Sequence, residues 1–295
     1  MKLQSALSLL LISIFLAGCK GSTSYQPKVL DPNVTYSNVY LLMGQSNASG
    51  VAECSYLENT HPEVYQRYTE GNSKVLISYN TGFQVNYDFV PTKFGQGHQE
   101  EYFGPEIGMA ETLNTLDETS YIIKSCEGAT CLMTQYVNER GKKLKLYKKY
   151  VGFIQEQLKV LEKEGKTPRV RGIFWVQGES DSFLEKSYKY KDAEEWFFKY
   201  LRHDLNNYIY DHFNFVDAYI YTDGMCWVNP EIINDCKQRF ADENEHCYCI
   251  KVNGEDESAI KLYLKCESDQ GDDLAHYDAQ SNLLLGMTAA NYLIK

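Results

Sequence analysis

Three residues of this chain have the types and spacing that acyl-transfer chemistry needs. Ser46 lies in the stretch VYLLMGQSNASG (39–50), and Asp273 and His276 lie three residues apart near the far end. A serine hydroxyl is a poor nucleophile until an imidazole takes its proton, and the imidazole needs a carboxylate to fix its tautomer. A three-residue separation lets the aspartate and histidine face one way on a helical turn or tight loop. The reaction also needs N–H groups that hold the developing oxyanion. The backbone amides of Ser46 and Gly128 and the side-chain amide of Gln177 are the candidates. Each signal is weak alone. Asp272 and Asp278 also crowd His276, and 44–48 lacks the last glycine of the nucleophile elbow found in α/β-hydrolases.

The elements that would position these residues give them their weight. β-branched and aromatic content predicts strands over 39–43, 121–124, 170–176 and 215–221. Apolar residues at three- and four-residue spacing predict helices over 105–116, 146–164, 190–210 and 282–293. Strand and helix alternating in this way indicate an α/β domain with a mostly parallel sheet, in which ligands collect at the carboxyl ends of the strands. Three of those ends carry polar residues: Gly44-Gln45-Ser46-Asn47, Cys126 to Thr130, and Gln177 to Asp181. Two long stretches, 48–103 and 224–270, read as irregular insertions that are functional or carry small structure of their own. No boundary marks a second domain, so 38–295 is expected to be one unit.

The motifs GQSNASG (44–50), WVQGESD (175–181) and DLAHYD (273–278) resemble the conserved blocks of the SGNH hydrolases. The segments FGPEIGMA (103–110) and IIKSCEGAT (122–130) are similar to the sialate O-acetylesterase-like and acetylxylan esterase branch, carbohydrate esterase family six. The second segment departs from that branch's double glycine, having Glu127-Gly128. The resemblance implies a three-layer α/β/α, flavodoxin-like fold and an O-acetylated carbohydrate as substrate, with no metal or organic cofactor. It makes Ser46 the nucleophile, His276 the general base and Asp273 its orienting partner. Gln177 and Gly128 become oxyanion donors, with Gly104 the second candidate for the glycine. Glu179 is a motif residue that braces the site or serves the fold. Two other readings stand beside this one: a glycan-binding surface lipoprotein without catalysis, and a lipase or thioesterase of the wider SGNH class.

The remaining sequence bounds the setting. The 295 residues carry a net charge of −11, which argues against a nucleic-acid partner. The 24 tyrosines suit sugar-binding surfaces as well as ordinary cores. Residues 1–18 read as an export signal, and Leu16-Ala17-Gly18-Cys19 resembles a bacterial lipobox. That resemblance implies a lipid on Cys19, a flexible tether over 19–37, and a cell-envelope location, at the outer membrane in a Gram-negative host. The other eight cysteines are an even number in an exported chain, which predicts disulfides; one across Cys126 and Cys131 would stiffen the loop between them. Of the other histidines, His98 in the glycine-flanked loop 94–98 is a candidate for lining a cleft. His61, His203, His212 and His246 lack a carboxylate at useful spacing.

Overall fold

The computed structural model describes residues 27–138, 140–222, 226–268 and 270–295. The expected export signal and the expected lipidation site, Cys19, lie outside them. Nine strands follow in chain order: β1 (Ser37–Gly44), β2 (Ala52–Glu53), β3 (Asn72–Asn80), β4 (Val85–Thr92), β5 (Tyr102–Phe103), β6 (Ser120–Cys126), β7 (Pro168–Val176), β8 (Asn214–Ala218) and β9 (Cys247–Ile250). The helices are α1 (Ser46–Ser49), α2 (Leu57–Thr60), α3 (Pro62–Glu70), α4 (Pro105–Leu113), α5 (Lys145–Lys163), α6 (Tyr190–Asp204), α7 (Pro230–Glu243) and α8 (Ala279–Leu293).

Seven strands form one sheet in the order β4-β3-β6-β1-β7-β8-β9, parallel throughout except for the β3–β4 pair. A parallel sheet with helices on both faces needs strands that are apolar on both sides. β1 meets this need: Val39, Leu41 and Met43 enter the core under α5, α6 and α7, while Tyr40 and Leu42 enter the core under α4 and α8. The result is the mostly parallel sheet that the alternation of elements predicts, in the three-layer arrangement that the resemblance implies. From β1 the chain crosses to β6 on one side and then to β7 on the other. That reversal opens a crevice above β1, the place where ligands bind in such sheets.

One face is locked by two glycines. A β-carbon on Gly108 of α4 would lie 2.0 Å from the Leu283 carbonyl oxygen, and one on Gly286 of α8 would lie 2.0 Å from that of Pro105. The two helix backbones therefore touch, and α8 is fixed in place immediately after the Asp273–His276 segment.

Both stretches that read as irregular hold elements of the sheet. The 48–103 stretch supplies β3 and the edge strand β4, whose Asn86, Asp88 and Pro91 obscure a strand pattern. The 224–270 stretch supplies α7 and β9, a four-residue strand with two cysteines. β8 ends at Ala218 and α6 at Asp204, both earlier than the sequence predicts. Within the expected tether, Lys28 is bridged to Tyr210, its N–H donating to Ile209 O (3.2 Å). The disulfide expectation fails: all eight described cysteines are free. Cys126 is buried in the layer of α4 and α8, its thiol pushed up to about 11 by burial, whereas Cys131 lies on the other side of the loop, beside Asp181.

Candidate active site

β1 ends at Gly44, which adopts φ +145°; a β-carbon there would sit 1.9 Å from Val176 O, so only glycine fits. Gln45 N–H donates to that same carbonyl (2.9 Å), and the chain then turns into the single helical turn α1 with Ser46 as its first residue. Between Asn38 and Gly50, Ser46 alone is not fully buried. Its backbone N–H is one of the orphan donors at a helix start and makes no hydrogen bond among the described residues. A strand end has delivered one hydroxyl and one free N–H to the crevice.

Asp273 and His276 meet as their spacing predicts. His276 Nδ1 lies 2.7 Å from Asp273 Oδ2, while Asp273 Oδ1 accepts the N–H groups of Ala275 (2.9 Å) and His276 (3.1 Å). Burial pushes the Asp273 carboxyl up, but these hydrogen bonds and the imidazole charge outweigh it and hold the group at about 2. The carboxylate therefore fixes the imidazole with Nε2 outward. Ser46 Oγ makes no direct hydrogen bond to His276 in this structure; such contacts are often long before substrate binds.

Asn47 joins the serine turn to the histidine loop. Its Nδ2 donates to Glu179 Oε1 (2.8 Å) and to Ala275 O (3.4 Å), and its Oδ1 accepts Tyr277 N–H (3.2 Å). One buried side chain thus holds the residues on both sides of His276 beside Ser46. Nothing in the sequence reading singled Asn47 out, although it occupies the position after the serine. Glu179, itself buried, acts as the acceptor that orients it.

Gly128 stands beside the serine: a β-carbon on it would lie 3.5 Å from the Ser46 β-carbon, and its N–H has no partner among the described residues. Glu127, which replaces the expected first glycine, bonds Lys149 Nζ (2.8 Å) and Tyr150 OH (2.5 Å) and so pins this loop to α5. Gly104 is differently placed. It packs on Gly50, and its N–H is taken by Glu106 Oε1 (2.9 Å). Gln177 departs from expectation too. Its side chain is wholly buried, Nε2 faces Thr130 O (2.9 Å), Asp181 Oδ2 (2.6 Å) and Gln45 Oε1 (3.1 Å), and Oε1 accepts from Tyr190 OH (2.9 Å). With both amide hydrogens committed, Gln177 fastens the floor of the crevice and has none left for an oxyanion.

Beneath that floor lies a charged cluster that the sequence reading missed. Lys237 Nζ, wholly buried, bonds Asp217 Oδ1 (2.8 Å), Ala218 O (2.7 Å) and the Gln177 carbonyl. Burial pushes the Glu194 carboxyl well above the usual carboxylate range, and the Asp217 charge and their mutual hydrogen bond push it further. Glu194 therefore holds a proton more tightly than an ordinary carboxyl does. Asp181 receives the N–H groups of Leu132 (2.8 Å) and Met133 (3.0 Å); burial nevertheless raises it to about 6. His98 borders the crevice, its N–H bonded to Gly50 O (2.8 Å) and its ring pushed below the usual imidazole range by burial and by His276. His203 has a carboxylate neighbour after all, Asp204 (2.9 Å), at the end of α6.

The fold is a three-layer α/β one, with a mostly parallel sheet and this edge at its centre. Three solved structures share it: a protein from Arabidopsis thaliana (TM-score 0.62, 18% identity, 88% of this chain and 98% of that one), NanS (0.62, 13%, 88% and 97%), and a carbohydrate acetylesterase from Xanthomonas citri (0.55, 11%, 86% and 55%). No curated protein matches the sequence. Residues 36–295 match the model of the carbohydrate esterase, sialic acid-specific acetylesterase family, and the chain belongs to that family. It is therefore a carbohydrate esterase.

Proposed function

We propose that the protein removes O-acetyl groups from a carbohydrate by an acyl-enzyme mechanism centred on Ser46. The observation that carries this is the Asn47 clasp, which holds a paired Asp273 and His276 beside Ser46, the one residue of the serine turn that is not fully buried. His276 Nε2 takes the Ser46 hydroxyl proton as Oγ attacks the acetyl carbonyl. The amides of Ser46 and Gly128 receive the oxyanion. Collapse breaks the ester bond, and the departing sugar oxygen takes the proton from His276. Water, losing a proton to the same imidazole, then attacks the acetyl-enzyme, and acetate leaves as Ser46 recovers its proton. Asp273 stays ionised throughout and stabilises the imidazolium.

Acetate release from acetylated xylan, O-acetylated sialic acids and small aryl acetates tests the reading, with Ser46→Ala as control. Turnover should vanish in the folded variant, and unchanged turnover would overturn the assignment of Ser46. The leader supports an exported protein carrying lipid on Cys19. Metabolic labelling with a fatty acid should mark the wild type and not Cys19→Ser.

A further inference from the structure

The two N–H groups that receive the oxyanion in this reading come from different segments. Ser46 belongs to the turn after β1, and Gly128 to the loop after β6. Such donors help only if both are aimed at one spot before the substrate arrives. Ahead of Gly128 the loop is tied to the strand by Glu127 N–H, which donates to Gly44 O (3.3 Å). Beyond Gly128 the backbone is strained. Ala129 adopts φ +55°, a left-handed conformation that an alanine keeps only where its surroundings impose it.

Anchors on the far side of the loop impose it. Thr130 Oγ1 donates to Glu127 O (2.8 Å) and closes the turn across Gly128 and Ala129. Thr130 O accepts from Gln177 Nε2 (2.9 Å). Leu132 and Met133 open a single π-type turn, 132–136, and both of their N–H groups end on the Asp181 carboxylate, at Oδ2 (2.8 Å) and Oδ1 (3.0 Å). An ionised carboxylate accepts at both oxygens, and its charge suits N–H groups that have no partner within their own turn. Gln177 Nε2 braces that carboxylate at Oδ2 (2.6 Å). The same network reaches the serine. Gln45, the residue before Ser46, places its Oε1 3.1 Å from Gln177 Nε2 and accepts the N–H of Ser180, next to Asp181 (3.3 Å). One polar network thus touches the segments of both N–H donors, and Asp181 is a wholly buried, charged member of it.

We infer that Asp181 is a positioning residue for the reaction: its carboxylate, with Gln177 as a strut, fixes the Gly128 N–H relative to the Ser46 N–H. Asp181 then acts on the transition state without touching the substrate. Gln177 likewise serves the oxyanion through the loop rather than by contact. The inference rests on the acyl-enzyme reading, because without an oxyanion the spacing of these two amides does no chemistry.

Asp181→Asn keeps the shape of the side chain but turns an NH₂ group toward Leu132 or Met133, so one of these amides loses its acceptor. At a pH above the Asp181 ionisation, kcat on an aryl acetate should fall on the order of tenfold to a hundredfold, with KM nearly unchanged. An alkylboronic acid bonds to Ser46 Oγ, whose proton passes to His276, and puts a boron-bound oxygen where the oxyanion forms. Its affinity should fall by the same factor as kcat. Gln177→Met removes the strut from Thr130 and keeps the charge of Asp181. It should move both readings in the same direction, and it decides the matter if Asp181→Asn does not fold. A lower melting temperature with kcat and boronate affinity unchanged makes Asp181 a residue of the fold alone and overturns the inference. A lower kcat with unchanged boronate affinity overturns it too, because the fault then lies outside the oxyanion site. Failure of the esterase reading looks different: the wild type itself neither cleaves the aryl acetate nor binds the boronic acid, and the inference falls with it.

Discussion

Asp273 and Asn47 orient the same histidine from different sides, and they should fail differently. Replacing Asp273 with Asn removes the charge that fixes the imidazole tautomer, and kcat should fall roughly 10³- to 10⁴-fold with the melting temperature little changed. Asn47→Ala leaves the Asp273–His276 pair intact but releases the loop from the serine turn. Misplacement of this kind should lower kcat by on the order of tenfold to a hundredfold. It should also lower the melting temperature, because Glu179 is left buried without its donor. Steady-state kinetics and thermal melts on both variants separate the two effects. At this scale the sequence was informative about spacing and silent about direction. Asp-x-x-His brings its members together because three residues suffice for a turn. Gln177, by contrast, ends a strand as the motif requires, yet its side chain points down into Tyr190 and Asp181. Only the packing around a strand end decides which way its side chain faces.

The elements that carry the site depend on close backbone contact. Gly108→Ala or Gly286→Ala inserts a methyl group where the facing carbonyl oxygen lies 2.0 Å away, so α4 and α8 must separate. Each substitution should cost about 1–3 kcal/mol, read as a lower denaturant midpoint with an unchanged slope. Because α8 begins two residues after Tyr277, activity should fall as well. The alternation of strand and helix was legible because β1, the Tyr121–Ile123 part of β6 and the Ile173–Val176 part of β7 are apolar on both faces, and α5 repeats its apolar positions over five turns. The β3–β4 hairpin and the α7–β9 unit were not. β4 and β9 are the edge strands, β9 has only four residues, and β3, β4 and β9 carry polar residues or cysteines that blur a strand pattern.

Across the whole molecule, buried charge makes stability depend on pH and on charge balance. Asp181 rises to about 6 from an ordinary 3.8, so the folded protein binds a proton that the unfolded chain has lost between those values. That contribution is complete below about 4 and is lost as pH rises through about 6. The melting temperature of the wild type relative to Asp181→Asn should therefore fall across this window and then level off. Lys237 is the buried cation paired with Asp217, so Lys237→Met leaves a carboxylate buried without its cation. Chemical denaturation should register a loss of about 3–5 kcal/mol. Glu194→Gln keeps a donor toward Asp217 and should cost much less. Asp181 belongs to a recognisable motif, but Glu194, Asp217 and Lys237 do not stand out in the sequence, where they are charged residues far apart in the chain.

The Lys28 bridge to Tyr210 fixes which edge of the sheet the first described residues lie on. Tyr210 precedes β8, and Ser37 N–H bonds Thr167 O just ahead of β7, so the described chain enters at the amino edge of the sheet. Ser46 opens on the other edge. The first described residues and the crevice therefore lie on opposite edges of the sheet.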